Sequence, residues 1–372
     1  MGGFPCGRMT ATNDLWAIDP YSLARVEKKA MLTSQLVALS RHHEDSCDDY
    51  RRMMTAAGCD LDLVKDYADL PFLPVSLFKT MDLLSVLRPE VVKTITSSGT
   101  TGQAVSRIFL DRTTAANQQR TLSRIVSNFV GGTRMPMLIV DSPSVVNDRA
   151  KFSARGAGIL GFSIFGTDRA YALDDAMQLD VAGLEKFLTK HQGRPILLFG
   201  FTFMVWQHFY KELARMRRET GRTLDLSKGI LIHGGGWKKL LNEAVSSEVF
   251  KASLREVCGL VRVHDYYGLA EQTGCIYMEC EMGRLHASVF SDVITRRADD
   301  FSPCAFGEKG IIQVLSVLPK SYPGHSLLTE DEGTIFGEDD CPCGRKGKHF
   351  TIAGRLKHAE VRGCSDTYAA KF

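Results

Sequence analysis

The residues of this chain that can do chemistry fall in a few short loops. The first is "TITSSGTTGQ", where a β-branched strand feeds Ser97, Ser98, Gly99, Thr100, Thr101 and Gly102. Two glycines let backbone N–H groups converge on an anion, and the hydroxyls supply further donors. That composition suits a polyphosphate, although no Gly-Lys-Ser/Thr closes the loop as in a Walker motif. Taken alone, it also reads as a polar turn. The second is "HDYYGLAEQTG". Here Tyr267, followed by Gly268, can stack on a flat base, and Glu271 can hold Mg²⁺, which prefers carboxylate and phosphate oxygens. A tyrosine pair beside a solvated glutamate is the plainer alternative. The third, "LIHGGGWKKL", places Gly234, Gly235 and Gly236 after a buried strand, so that a ligand's flat face can approach the backbone, with Lys238 and Lys239 following. An acidic turn, "LLTEDEG", and a basic stretch, "AGRLKHAEVRG", complete the polar loops.

Sulfur supplies the remaining candidates. Ten cysteines with no recognisable secretion signal argue for thiols in a reducing, cytoplasmic setting rather than a disulfide framework. Cys59 and Cys258 sit among apolar neighbours, as small buried hydrophobes do. By contrast, "DDCPCGRKG" sets Cys341 and Cys343 in a turn, and "ECEMGRLH" offers Cys280 and His286. Four N/S donors from two turns suit tetrahedral Zn²⁺; reduced cysteines near a strand end are the alternative. In "EVRGCSDTYAAKF", Cys364 has Arg362 two residues away, with Arg355, Lys357 and His358 upstream. A free thiol titrates near ~8.5, so activation there needs nearby cations of this kind.

The elements that must carry these loops alternate. Residues 23–58 read as one or two amphipathic helices, and "DLPFLPVSLFKTMDLLSV" as a proline-broken packing element. Strands are predicted at "VVKTIT", "RIFLDR", "MPMLIVDSP", "RPILLFGF" and "KGILIHGGG". Helices are predicted over "TTAANQQRTLSRIVSNFV" and residues 181–191, 204–219 and 244–258. This rhythm implies a parallel or mixed sheet covered on both faces, with ligands at the carboxyl ends of its strands. From Leu285 onward helices give way to strands, which suggests a second sheet or small barrel. The expected divisions are a helical region over 1–90, an α/β core over 91–284, a β-rich subdomain over 285–350 and a tail over 351–372.

Composition bounds the rest. A hydrophobic fraction of 44%, a charged fraction of 24% and a net charge of +3 describe an ordinary globular protein without the basicity that nucleic acid or an anionic membrane would call for. The longest apolar run, "PILLFGFTFMVW", is too short for a bilayer span.

In their order along the chain, "PFLPVSLFK", "SSGTTGQ", "LLFGFTF", "HGGGWKK", "YYGLAEQTG", "SYPGHSLLTEDEG" and "VRGCSDTY" resemble the adenylate-forming superfamily, and within it the LuxE-type acyl-protein synthetases. The resemblance implies a large α/β domain of mixed sheets with a small β-rich subdomain, the mobile carboxyl-terminal lid being largely absent. It implies ATP and Mg²⁺, a fatty or related carboxylic acid as substrate, and an acyl reductase as protein partner. Residues 97–102 then match the phosphate loop and Gly234–Gly236 the segment against the adenine, with Tyr267 beside it. Glu271 matches the Mg²⁺ ligand, and Asp331 and Arg355 match the pair on the ribose. Phe199, Gly200 and Phe203 match a wall of the acyl pocket. Cys364 matches the cysteine that accepts the acyl group as a thioester. Lys238 is the candidate to replace the lysine of the lid. Two features depart from the pattern: that lysine is not seen, and Ala270 stands where relatives carry Ser or Thr, for which Thr273 is the possible compensation. The Cys/His group resembles one in phenylacetate–CoA ligase-like relatives. An acyl- or aryl-CoA ligase, or a loader of a carrier protein, is the competing activity. A non-catalytic nucleotide-binding subunit is a third.

Overall fold

Six apolar residues in a row, as in "MPMLIV" and "ILLFGF", can be buried on both faces only inside a covered sheet. In the computed structural model, which describes residues 15–97, 105–147, 154–237 and 242–356, such runs are its central strands. In chain order the strands are β1 (Leu73–Pro74), β2 (Val91–Thr96), β3 (Arg107–Asp111), β4 (Met135–Val140), β5 (Gly166–Tyr171), β6 (Ile196–Phe201), β7 (Gly229–Gly234) and β8 (Arg262–Tyr267). They continue with β9 (Tyr277–Glu279), β10 (Leu285–His286), β11 (Ser291–Arg296), β12 (Lys309–Ser316), β13 (Ser326–Glu338) and β14 (Lys348–Arg355). β4 to β8 pair in parallel, in the spatial order β8-β7-β6-β4-β5.

Most of the helices between them are those the periodicity predicts; helix Ala154–Phe162, ahead of β5, is an addition to that reading, as is β5 itself. Helix Arg112–Val130 starts where the Asp111 carboxylate accepts the Thr114 N–H at 2.8 Å, and it stops at Gly131, whose φ of 92° only glycine adopts readily. Helices Val181–Lys190 and Ser247–Cys258 open on the same device, with Asp180 and Ser246 as caps. The segment predicted as one helix over 204–219 differs. Thr202–Met204 runs into a π-helical stretch, Val205–Tyr210, before the α-helix Lys211–Thr220. The widened turn accompanies stacking of Trp206 on both Tyr210 and Phe250.

The strands after Leu285 do not form a separate sheet or barrel. β9 turns antiparallel on β8, β10 pairs β9 and β14, and β14-β13-β12-β11 extends the same sheet, which counts twelve strands with β1 added beside β13. β2 and β3 stand apart as a two-stranded antiparallel ribbon. One apolar cluster covers each face of the parallel half: Ile139, Phe199 and Ile232 belong to one, and Leu138, Leu198 and Leu231 to the other. A third cluster, around Tyr277, Val314 and Phe350, fills the antiparallel half.

Of the N-terminal helices, Arg25–Ser46 and Asp48–Ala56, the first is tied down by a buried polar group. Asp292 on β11 lies 4.0 Å from the Lys28 ammonium and 3.5 Å from that of Lys348, and accepts a hydrogen bond from Tyr67. Lys28 also donates to the Ala287 carbonyl at 3.1 Å. The two cations hold the Asp292 carboxyl below the usual carboxylate range against the opposing effect of burial. Among the described residues no helix is long and apolar enough to cross a membrane, and none of the described cysteines is in a disulfide.

Candidate nucleotide site and cysteine–histidine centre

Among the described residues, the glycine turn, the Tyr266–Tyr267 segment and the acidic turn meet at the carboxyl end of β8. In register with it, β7 ends at Gly234, opposite Tyr266. A Cβ at Gly234 would stand 2.6 Å from the Tyr266 ring, and one at Gly235 would stand 2.6 Å from the ring of Phe201. Gly235 and Gly236 have φ of 81° and 63°. Lack of a side chain therefore serves two ends here: left-handed backbone, and a turn laid flat between aromatic rings. Tyr266, its ring tilted against Phe162 with centroids 5.3 Å apart, is the ring against this turn. Tyr267 points to the other face of the sheet, packs near Tyr277 and Phe350, and donates its hydroxyl to Asp331 at 2.7 Å.

Asp331 on β13 is paired in register with Arg355 on β14, so the two residues predicted to act together do stand side by side. The Arg355 guanidinium bonds Glu330. Burial raises the Asp331 carboxyl above its ordinary range, against the pull of the Tyr267 hydroxyl and the Arg355 charge. Next along the chain, Gly268 packs on Ile276, and a short 3₁₀ turn, Ala270–Gln272, carries Glu271. Glu271 is only 5% exposed. Burial raises its carboxyl, opposed by the Ser106 hydroxyl and by the Lys79 ammonium. Ionised, this carboxylate offers the oxygen ligand that a hard divalent cation takes. Lys79, on the one-turn helix Leu77–Thr80, is a cation that the fold brings toward Glu271 from far away in sequence. Thr273 does not compensate for Ala270 in the way expected: its hydroxyl is turned back to the Ala270 carbonyl at 2.8 Å.

The neck of the Ser/Thr/Gly loop is closed by a reciprocal pair. The Ser97 N–H donates to the Ser106 carbonyl at 3.2 Å, and the Ser106 N–H donates to the Ser97 hydroxyl at 2.9 Å. Since Ser106 also faces Glu271, the loop springs from beside that carboxyl. Ser98, Gly99, Thr100, Thr101 and Gly102 lie outside the described residues, as do Lys238, Lys239, Lys357, His358, Arg362 and Cys364.

The predicted acyl-pocket wall is packed rather than open. Phe199 is fully buried and stacked on Phe162, with ring centroids 4.3 Å apart. Gly200 faces the opposite side, where a Cβ would meet Val140 at 2.8 Å and Val205 at 2.9 Å. Phe203 is half-buried against the same cluster as Phe199.

Cys280, His286, Cys341 and Cys343 do meet. Their ligand atoms all lie within 4.8 Å of one another. The Cys280 and Cys341 sulfurs are 3.9 Å apart, and the Cys343 sulfur is 3.4 Å from His286 Nε2. With Zn–S bonds of about 2.3 Å, tetrahedral geometry puts sulfur pairs about 3.8 Å apart, so the spacing fits. Burial pushes the Cys280 thiol up to about 12 and the His286 imidazole down to about 3. His286 Nδ1 is buried without a hydrogen-bond partner. Cys280 follows β9, His286 ends β10, and both Cys341 and Cys343 precede β14, so the pairing of three short strands assembles the group.

A family model described as "Acyl-protein synthetase, LuxE" matches residues 9–372. A Vibrio harveyi protein named long-chain-fatty-acid–luciferin-component ligase is 24% identical over 366 residues, covering 93% of this chain and 90% of its own length. The protein of that name from Aliivibrio fischeri is 24% identical over 310 residues, covering 80% and 77%. Among solved structures, a 2-hydroxyisobutyryl-CoA ligase in the postadenylation state superposes with a TM-score of 0.68. At 15% identity it covers 90% of this chain and 69% of its own, a likeness of fold.

Proposed function

The chain belongs to the LuxE family of acyl-protein synthetases, and from that we propose that it activates a fatty or related carboxylic acid with ATP and passes the acyl group to its own Cys364. In the first step a carboxylate oxygen attacks the α-phosphorus, the bond to pyrophosphate breaks, and acyl-AMP forms. In the second, the Cys364 thiolate attacks the acyl carbon, the C–O bond to AMP breaks, and a thioester remains, the thiol proton having gone to solvent. The work of the protein is positioning and charge neutralisation. The glycine turn and Tyr266 would seat the base, Asp331 and Arg355 the ribose, and the Ser97–Gly102 loop the phosphates. Mg²⁺ held at Glu271 would supply charge neutralisation for the departing pyrophosphate, helped by Lys79 and by Lys238 as a point charge. Delivery of the thioester to an acyl reductase completes the reading.

The observation that supports it most is the single hub at the end of β8: Gly234 against Tyr266, Tyr267 on Asp331, and Glu271 beside the Ser97–Ser106 neck. Pyrophosphate release across a panel of carboxylic acids tests the first step. For the second, Cys364→Ser should still form acyl-AMP but lose hydroxylamine-sensitive labelling of the protein. Undiminished labelling of that variant would refute transfer to Cys364, and a coenzyme A-dependent product would move the activity to the acyl-CoA ligases.

We also infer that Cys280, His286, Cys341 and Cys343 hold a structural Zn²⁺, whose charge would favour thiolates where burial alone disfavours them. Elemental analysis should find about one zinc per chain, lost in Cys343→Ser. Metal-free protein of normal stability would end the idea.

A further inference from the structure

Loops seldom run through a protein interior, because their backbone groups then need partners there. The connection between β12 and β13 does so: Ser321, Tyr322, Pro323, Gly324 and His325 are all buried, Tyr322 completely. The Tyr322 hydroxyl donates to the backbone carbonyl of Glu271 at 2.8 Å. In return the Gln272 side-chain amide donates to the Gly324 carbonyl at 2.8 Å and to the Val314 carbonyl at 3.2 Å. A Cβ at Gly324 would stand 3.0 Å from the Glu271 carbonyl oxygen, so the loop lies directly against the 3₁₀ turn Ala270–Gln272. Two residues beyond Gln272, a Cβ at Gly274 would come within 2.6 Å of the Gln118 carbonyl oxygen on helix Arg112–Val130. The segment that carries Glu271 is thereby pinned by a loop and by a helix.

Tyr322 also reaches the element that brings the nearby cation. Its ring meets that of Phe78 edge-on, with centroids 6.0 Å apart at 87°, and Phe78 is the neighbour of Lys79 on the one-turn helix Leu77–Thr80. Phe78 is fully buried, so it anchors that helix. The Lys79 charge is felt at Glu271, yet no ion pair joins the two among the described residues. A carboxylate and an ammonium within electrostatic reach attract one another, and each is carried here by a segment that Tyr322 touches. We propose that Tyr322 is a positioning residue: its hydroxyl fixes the Glu271 turn, its ring fixes the Lys79 helix, and the two charges are kept apart, the carboxylate open to a divalent cation and the ammonium to phosphate oxygens. A metal ligand works only when the groups behind it hold it in place. The proposal rests on reading Glu271 as the Mg²⁺ residue, and it adds what holds that residue in position.

The test is calorimetric titration of the full chain with α,β-methylene-ATP, which lacks the bond that adenylation breaks. In the wild type Mg²⁺ should tighten this ligand. Tyr322→Phe keeps the ring and loses only the hydroxyl. In it that gain should shrink about tenfold or vanish, tenfold being the lower end of what loss of a partner behind a metal ligand costs. Affinity measured with EDTA in place of Mg²⁺ should be unchanged. Ser321→Ala is the structural control. It removes a neighbouring buried hydrogen bond, from the Ser321 hydroxyl to the Phe109 carbonyl at 2.8 Å, without touching Glu271. It should lower Tm as Tyr322→Phe does and leave the Mg²⁺ gain intact. A Mg²⁺ gain in Tyr322→Phe equal to that of the wild type overturns the proposal, whatever happens to Tm. So does an equal loss in Ser321→Ala, which would make the effect one of general stability. Wild-type protein that binds the analogue no more tightly with Mg²⁺ than without it would instead sink the metal reading of Glu271, and the proposal with it.

Discussion

Gly235 and Gly236 are neighbours in one turn, yet alanine should cost the fold much more at the first than at the second. Both have positive φ, 81° and 63°, which for an L-residue costs ~1–2 kcal/mol. Restricting the unfolded chain returns ~0.4–1 kcal/mol in each case. The difference is space. An added Cβ at Gly236 meets nothing within 4 Å, whereas at Gly235 it lands 2.6 Å from Phe201 Cδ1 and 3.2 Å from Cε1. Phe201 cannot yield easily, because its ring stands edge-on to Phe199 and is also the nearest neighbour of the helical Gly158. Overpacking of this kind adds ~1–3 kcal/mol. Gly236→Ala should therefore lose about 0–1.6 kcal/mol, and Gly235→Ala about 1–4.6 kcal/mol. For a chain of 372 residues, at ~2.1 cal/mol/K of unfolding entropy per residue, that is roughly 1–1.5 °C of Tm per kcal/mol, readable by thermal unfolding. Gly235→Ala should also raise the KM for ATP more than Gly236→Ala does. Equal stability losses in the two variants would refute the steric argument, since only the Phe201 contact separates them.

Other outcomes follow from the same structure. Glu271→Gln keeps the shape but removes a buried charge that burial disfavours, so Tm should hold or rise while pyrophosphate release falls about 100-fold or more; a marked loss of Tm would show the carboxylate to be structural. Asp292→Ala leaves Lys28 and Lys348 buried without their carboxylate and should cost about 3–5 kcal/mol in urea unfolding; a loss under about 1 kcal/mol would mean the group is dispensable. Burial lowers His325 to about 3 and holds its stacked neighbour His43 well below 6.5. The unfolded chain therefore binds more protons below 6.5, and the stability these histidines permit at neutrality should drain away as pH falls toward 3. Tm should decline from neutrality to about pH 5, less steeply in His325→Gln, and parallel profiles would count against this assignment.

Much of the α/β half was legible because apolar runs and amphipathic helices are local signals. Its strands appear where "MPMLIV", "ILLFGF" and "GILIHG" stand. The grouping of Cys280, His286, Cys341 and Cys343 was legible as well, since few other arrangements put so many soft donors into polar turns. What the local pattern could not carry was strand parity and partner choice. Tyr266 and Tyr267 are equivalent in composition, but a strand's alternation sends one to the glycine turn and the other to Asp331, and the sheet's faces decide which. Phe199 and Gly200, which resemble pocket residues in sequence, are packed on opposite faces of the sheet. The continuity of the late strands with the parallel sheet rests on β9 and β10, three and two residues long, too short to leave a periodic trace. Lys79 comes to Glu271 from an element distant in the chain.

That seam between the two halves has a mechanical meaning. β9 and β10 offer few backbone bonds for joining a parallel slab to an antiparallel one, and the cysteine–histidine knot lies across them, drawing on the ends of β9 and β10 and the approach to β14. It would act as a rivet where the fabric is thinnest. Because β8 carries the glycine-turn contacts and β14 carries Arg355, slack in that joint would let the two sides of the proposed nucleotide site drift apart. A distant thiol chemistry would then govern how firmly the cleft grips.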